Sequence, residues 1–286
     1  ARHCGISPDK ISSAGLKDKE AVSRQTLCLP VKLAEKLDTF ADPRLKILSA
    51  IPHRNKLKTG HLQGNRFAIV LRGVDRSLDR RAEELRDLIL EKGFPNYFGS
   101  QRFGYEGSTA RLGFELLRGG KLPRNIPYSR KKFQTRFSLS AAQSELFNRC
   151  LARRIKDELM FRVLPGDLMQ VVKTGGQFVV EENLAEEEQQ RFDTGVTAIT
   201  GPIYGPKMKA PLEAPARREE TVLLEAGLSI AEFRKFSKLT MGSRRPYLIR
   251  LSEIEITRSQ EGLRFEFELP KGTYATSLMR ELTRGE

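Results

Sequence analysis

Asp18 has the clearest capacity for chemistry in this sequence. It lies in Ala-Gly-Leu-Lys-Asp-Lys-Glu-Ala-Val-Ser-Arg-Gln (residues 14–25), three residues after Gly15 and between Lys17 and Lys19. Ammonium groups on either side favour the ionised form of a carboxylic acid, and an ionised carboxylate is a competent nucleophile toward a sugar carbon. Gly15 offers a backbone conformation that other residues avoid. The same residues also suit an ordinary turn in which Asp18 bonds nearby backbone, so local sequence leaves both readings open.

Two further stretches carry chemistry of a different kind. Pro-Asn-Tyr-Phe-Gly-Ser-Gln-Arg-Phe-Gly (residues 95–104) puts three aromatics and two glycines among ten residues, with an amide at Asn96 and a guanidinium at Arg102. Such a set makes either a packed turn or a surface on which an unstacked base rests while polar groups bond its edge. His-Arg-Asn-Lys-Leu-Lys-Thr-Gly-His-Leu (residues 53–62) offers Arg54, Lys56 and Lys58, as a solvated connector or as phosphate contacts. His53 and His61 lack a helical metal spacing, and Cys4, Cys28 and Cys150 are far apart, so neither a metal site nor a disulfide framework is expected. The glycines of residues 201–206 (Gly-Pro-Ile-Tyr-Gly-Pro) follow no phosphate-loop or dinucleotide pattern, and no cofactor is expected.

The charge balance points to a polyanionic partner. Fifty Lys and Arg against 36 Asp and Glu give +14 at pH 7 and a pI near 9.8, and nucleic acid is the first candidate. Residues 1–121 hold 23 basic and 14 acidic side chains, residues 122–245 hold 21 and 15, and residues 246–286 hold 6 and 7. Two regions therefore share the positive field, while the C-terminal segment reads as scaffold. With 39% apolar residues over 286, the chain can build cores and disorder is not expected. No apolar run approaches the roughly 20 residues that cross a bilayer. A soluble, cytoplasmic protein, monomeric and without a membrane or required protein partner, is expected.

The positioning elements follow from periodicity. Strands are expected over residues 23–30, 45–51 and 67–71, a short helix over Val31–Leu37, and an amphipathic helix over Ser77–Lys92 ended by Gly93 and Pro95. Residues 121–132, rich in Pro and basic side chains, mark a boundary before a long helix over 138–159. That helix turns Leu139, Leu146, Cys150 and Ile155 inward and Arg153, Arg154 and Lys156 outward. A hairpin over 168–172 and 177–182, an acidic helix over 184–191, a loop over 201–206 and helices over 217–225 and 230–236 come next, the last leading through Arg234 and Lys235 toward Arg244 and Arg245. From Tyr247 the period changes to two, giving two antiparallel strands, and a last helix over 275–283 follows the loop to Tyr274, with Thr273 as its cap.

Residues 14–25, 95–104 and 269–282 (Leu-Pro-Lys-Gly-Thr-Tyr-Ala-Thr-Ser-Leu-Met-Arg-Glu-Leu) together resemble the TruD-type tRNA pseudouridine synthases in composition, order and spacing. The basic loop through residues 60–67 and the helix Leu-Ser-Ala-Ala-Gln-Ser-Glu-Leu-Phe-Asn (139–148) are similar too, so the resemblance spans nearly the whole chain. It implies isomerisation of a uridine in tRNA, at position 13, to pseudouridine, without cofactor or metal. The implied fold is α+β: a pseudouridine synthase catalytic core with a mainly antiparallel sheet and flanking helices, interrupted by an inserted α/β domain. The domains are then 1–121 and 247–286 for the core and 122–246 for the insertion, boundaries that coincide with those read from composition.

Residue by residue, the resemblance aligns Asp18 with the catalytic aspartate, Asn96 and Phe98 with a substrate-contacting asparagine and a stacking aromatic, and Tyr274 with an aromatic that is more often Phe. Lys17 and Arg102 join the substrate-binding set. Arg54, Lys56, Lys58, Arg153, Arg154, Arg234, Lys235, Arg244 and Arg245 are the expected contacts to the RNA backbone. The family usually has a segment before the position of Ala1, and a basic partner of Asp18 is expected there. Two other functions fit parts of the sequence: a non-catalytic RNA-binding or chaperone protein, which the charge alone would serve, and a glycosidase or nuclease, which needs a second close carboxylate or a metal set. Glu20 and Asp9, the nearby acids, have no such context.

Overall fold

The chain divides into two units at Arg66 and Phe67. The computed structural model describes residues 1–283 other than Leu16, Lys19 and Thr59. In the first unit, β1 (Ser12–Ser13) pairs antiparallel with β2 (Leu27–Cys28), and a 3-10 helix covers Val31–Leu37. The strand expected over 23–30 is thus reduced to two residues, and the one over 45–51 does not form. There Leu45, Leu48 and Ile51 are 65%, 59% and 81% exposed. An apolar run becomes a strand only where a neighbouring chain satisfies its N–H and C=O groups, and none does so here beyond one bridge between Asp42 and Leu45.

The division falls within β3 (Gly64–Leu71), and the second unit continues from it along α1 (Ser77–Lys92), β4 (Phe94–Pro95), α2 (Ser108–Leu117) and α3 (Tyr128–Lys156). Then follow β5 (Leu168–Val171), β6 (Gln177–Val179), α4 (Ala185–Asp193), β7 (Thr197–Ile203), α5 (Glu213–Glu225) and α6 (Ile230–Arg234). The chain closes with β8 (Ser243–Pro246), β9 (Leu248–Ile249), β10 (Ile254–Ser259), β11 (Gly262–Pro270) and α7 (Ala275–Leu282).

Two hydrophobic cores organise these elements. In one, the sheet β10-β11-β3 is packed by α1 and α7: Leu78, Ala82 and Ile89 of α1 meet Phe265 and Phe267 of β11 and Leu278 and Leu282 of α7. Alternation along β11 sends every second side chain into this core, as period two requires. The other core lies around α3, with α2 on one side and the antiparallel sheet β6-β5-β7-β8 on another. The exposed basic stretch after Lys121 links α2 and α3, which share this core.

Several elements differ from their sequence expectation for identifiable reasons. α3 begins at Tyr128, ten residues early, because Pro127 starts it in an extended conformation while its first turns stay exposed and carry no apolar stripe. Residues 201–203 continue β7 instead of opening a loop. The ring of Tyr247 occupies the space beside Gly201, where a Cβ would lie 2.1 Å from it, so glycine here is a packing requirement within a strand. α7 is entered from Tyr274 in extended backbone with no side-chain cap, so Thr273 does not serve as one. The first strand expected from Tyr247 is split into β9 and β10, and the helix α2 and the short strands β4 and β8 have no counterpart in the periodicity of the sequence.

Candidate active site

Asp18 is exposed, in the first unit. Its loop is tied by backbone: the Gly60 N–H donates to the Ala14 carbonyl at 3.0 Å, and the Ser13 hydroxyl donates to the Gly15 carbonyl at 3.1 Å. Lys17 Nζ donates to Asn65 Oδ1. Gly15 is not in the left-handed region, and a Cβ there would meet nothing closer than the Leu62 side chain at 3.8 Å. The conformational reason expected for Gly15 therefore does not apply. Lys19, the other expected neighbour of Asp18, and Thr59 of the basic loop lie outside the described residues. Arg54, Lys56 and Lys58 are exposed in the same unit.

In the second unit, three distant segments converge on Phe98. Its backbone is clamped by Asn148 of α3, whose Oδ1 accepts from the Phe98 N–H at 2.9 Å and whose Nδ2 donates to the Phe98 carbonyl at 3.0 Å. Phe147 and Tyr274 meet the ring edge-on, with centroids 5.5 and 5.7 Å away. The guanidinium carbon of Arg245 lies 4.1 Å from the ring centroid and that of Arg102 5.9 Å, so the half-buried ring is held by two cations. Gly99 lets the segment approach Tyr274: a Cβ there would sit 2.6 Å from Thr276 Oγ1 and 3.2 Å from the Tyr274 ring.

Among the described residues, no carboxylate pairs with either arginine. Arg102 donates to Ser144 Oγ at 3.2 Å and to Ser140 Oγ, both on α3. Arg245 donates to Gly272 O at 2.8 Å and to the carbonyl and side-chain oxygens of Asn96. Burial pulls the Arg245 guanidinium down to about 10; Tyr274 works against that shift and Arg102 with it. Asn96 is itself buried, and its Nδ2 donates to Pro246 O at 2.9 Å. Its amide is thus committed to Arg245 and Pro246, which places it behind the ring surface as a support. Asn148 and Phe147 escape the sequence reading as site residues, although an amide on the apolar face of a long helix is the kind of signal that could have found them.

The expected phosphate contacts separate into three groups. Arg234, the last residue of α6, and Lys235 are exposed, while Arg153 is half-buried and pairs with Glu225 at 2.8 Å. Arg154 and Arg244 are not surface residues. Arg154 grips Asp167 through two hydrogen bonds of 2.8 and 2.7 Å and donates to the Leu159 and Arg162 carbonyls. Arg244 grips Glu219 at 2.8 and 2.7 Å and donates to Thr200; burial works against its charge, and the Glu219 pairing outweighs burial to hold that charge more firmly than usual. Neither faces an RNA backbone as expected. The correction follows from helix and strand geometry, which turns these positions into the α3 core, where a charge must find a partner. Among the described residues, no group of His, Cys, Asp or Glu comes together that could hold a metal ion, and no helix is long and apolar enough to cross a membrane.

The fold is mixed α+β, with one core built around α3 and a cation-held aromatic surface at Phe98. The chain belongs to the tRNA pseudouridine synthase D (TruD) family, whose model matches residues 1–121 and 130–282. It is similar to the tRNA pseudouridine synthase D of Anaeromyxobacter dehalogenans, at 39% identity over the whole of this chain and 80% of that protein. The corresponding protein of Thermus thermophilus is 38% identical over 99% of this chain and 76% of its own length. In fold, the chain resembles the crystal structure of a TruD protein from Methanosarcina mazei, with a TM-score of 0.76 and 24% identity over 99% of this chain and 83% of that one.

Proposed function

We propose that this protein converts a uridine in tRNA, at position 13, to pseudouridine, with Asp18 as the catalytic carboxylate. The observation that carries the reading is the convergence of Asn96, Phe98, Arg102, Arg245 and Tyr274 on one half-buried aromatic surface. A base inside an RNA stem is out of reach of a carboxylate, so it must be extruded, and extrusion needs a ring against which the base can rest. The isomerisation conserves atoms: the bond from N1 to the sugar carbon breaks, a bond from carbon five to that sugar carbon forms, the proton on carbon five leaves and N1 gains one. In this reading Asp18 supports the sugar carbon while the bond is broken.

Arg54, Lys56, Lys58, Arg234, Lys235 and Arg153 serve the RNA backbone in this reading, whereas Arg154 and Arg244 serve the fold. Lys17 holds its loop through Asn65. Residues 122–246 are taken as an insertion in the catalytic domain, and the enzyme acts as a cytoplasmic monomer. Asp18→Asn keeps the shape of the side chain and removes its charge. It should fold and bind an unmodified tRNA transcript normally, yet form pseudouridine more slowly by a factor on the order of 10⁴ or more. Glu20→Gln and Asp9→Asn should keep most of the activity. Pseudouridine formation by Asp18→Asn near the wild-type rate would end the mechanism.

A further inference from the structure

The first three turns of α3 are not absorbed by the function above. From residue 116 to residue 144 there is no Asp or Glu, while Arg118, Lys121, Arg124, Arg130, Lys131, Lys132 and Arg136 are all basic. Arg130, Lys131, Lys132 and Arg136 are exposed, and none is in an ion pair among the described residues. Amid these cations stand aromatics that soluble surfaces usually hide. Tyr128 is 89% exposed and Phe133 66%, and Lys131 Nζ lies 5.8 Å from the Tyr128 ring centroid. Phe133 and Phe137, one helical turn apart, stack with centroids 5.6 Å apart and planes 11° from parallel.

This strip is continuous with the site. The guanidinium of Arg102 lies 5.8 Å from the Phe137 ring and 5.9 Å from the Phe98 ring, and Arg102 is fixed to α3 through Ser140 and Ser144. Tyr274, Phe98, Arg102, Phe137 and Phe133 thus form a ladder of flat groups from the half-buried surface to the outside of the helix. Flat rings flanked by unpaired cations are complementary to a single-stranded polyanion whose bases are unstacked, since every base offers a π face and every phosphate a charge. A protein ligand would have to supply a run of carboxylates and also bury Phe133.

We propose that Phe133 and Phe137, with Arg130, Lys131, Lys132 and Arg136, form a stacking and phosphate-binding strip for the nucleotides that flank the reacting uridine. The proposal rests on the tRNA reading above and adds a second subsite to it. When the target base is extruded, its neighbours lose their stacking partner, and the strip replaces it.

The test uses the full chain and an unmodified tRNA transcript, with affinity and pseudouridine formation measured separately. Phe133→Ala, at an exposed position, should melt as the wild type does and should weaken transcript affinity about fivefold or more, a loss carried by KM while kcat changes little. Phe133→Tyr should restore affinity, because the ring is kept. Replacing Arg130, Lys131, Lys132 and Arg136 by Gln should flatten the dependence of affinity on salt by about 0.7 for each phosphate that the strip no longer neutralises. Unchanged affinity in Phe133→Ala, or equal weakness in Phe133→Ala and Phe133→Tyr, would overturn the strip. Wild-type protein that binds the transcript but forms no pseudouridine would instead overturn the catalytic reading, and the affinity of Phe133→Ala would still decide the strip.

Discussion

Arg244 and Arg245 are consecutive in β8 and enter different chemistries. Strand alternation sends one to each face: Arg244 is buried against Glu219, while Arg245 lies half-buried over Phe98, where its hydrogen-bond partners among the described residues are carbonyl and amide oxygens. Arg154 and Arg102 repeat the contrast, the first paired with Asp167, the second held by hydroxyls between two rings. An arginine whose charge is neutralised by a carboxylate contributes architecture. One whose charge is held by neutral groups keeps its field for something that arrives from outside, and in a basic protein that something is an anion.

The largest expected effect tests the interior pair. Arg244→Ala would leave the Glu219 carboxylate buried without a partner, and the loss of stability should be about 3–5 kcal/mol, read from denaturant unfolding. Replacing both members, as Arg244→Met with Glu219→Leu, should recover most of it, since two desolvated charges are removed together. If the double replacement were no better than the single, the pair would be more than a neutralised interior charge.

An intermediate effect tests the ring surface. Phe98→Ala should slow pseudouridine formation by about ten- to a hundredfold, the worth of one base stacked on a ring, with unchanged circular dichroism. Arg245→Ala should also slow turnover while costing little stability. In the double variant the two losses should sum to less than their separate values, because both act through one ring. Full additivity would separate Arg245 from Phe98. The smallest effect belongs to the exposed cations: replacing Arg54, Lys56 and Lys58 by Gln should lower the salt slope of tRNA affinity by roughly 2 to 3. An unchanged slope would remove that loop from the RNA.

Legibility in the sequence follows packing. α1 and β11 are legible because each presents one apolar face to a core, which is what periodicity records, and the β5–β6 hairpin because Gly175-Gly176 marks its turn. The first ten residues of α3 are not, since they pack against little and carry basic and aromatic residues instead of a stripe. The strand expected over 45–51 fails for the complementary reason: an apolar run without a ladder partner. Of the expected site residues, Phe98 is singled out by motif composition and Tyr274 by the family resemblance, and the fold brings their ring centroids to 5.7 Å. The burial of Arg154 and Arg244 is not, because sequence shows the charge of an arginine and conceals the carboxylates at Asp167 and Glu219 that meet it through the fold.

The bonds that seat Arg245 also bear on the order in which the molecule assembles. It joins Asn96, 149 positions earlier in the chain, to Gly272, 27 positions later. Contacts of such long range form slowly, because the entropy of closing the intervening chain must be met before they reward it. A chain still being synthesised can wrap α2 around α3 and form the sheet β6-β5-β7-β8, but Arg245 is not fully seated over Phe98 until residue 272 has emerged and docked. The surface around Phe98 is therefore completed later than the elements it rests on, and partly folded molecules lack it.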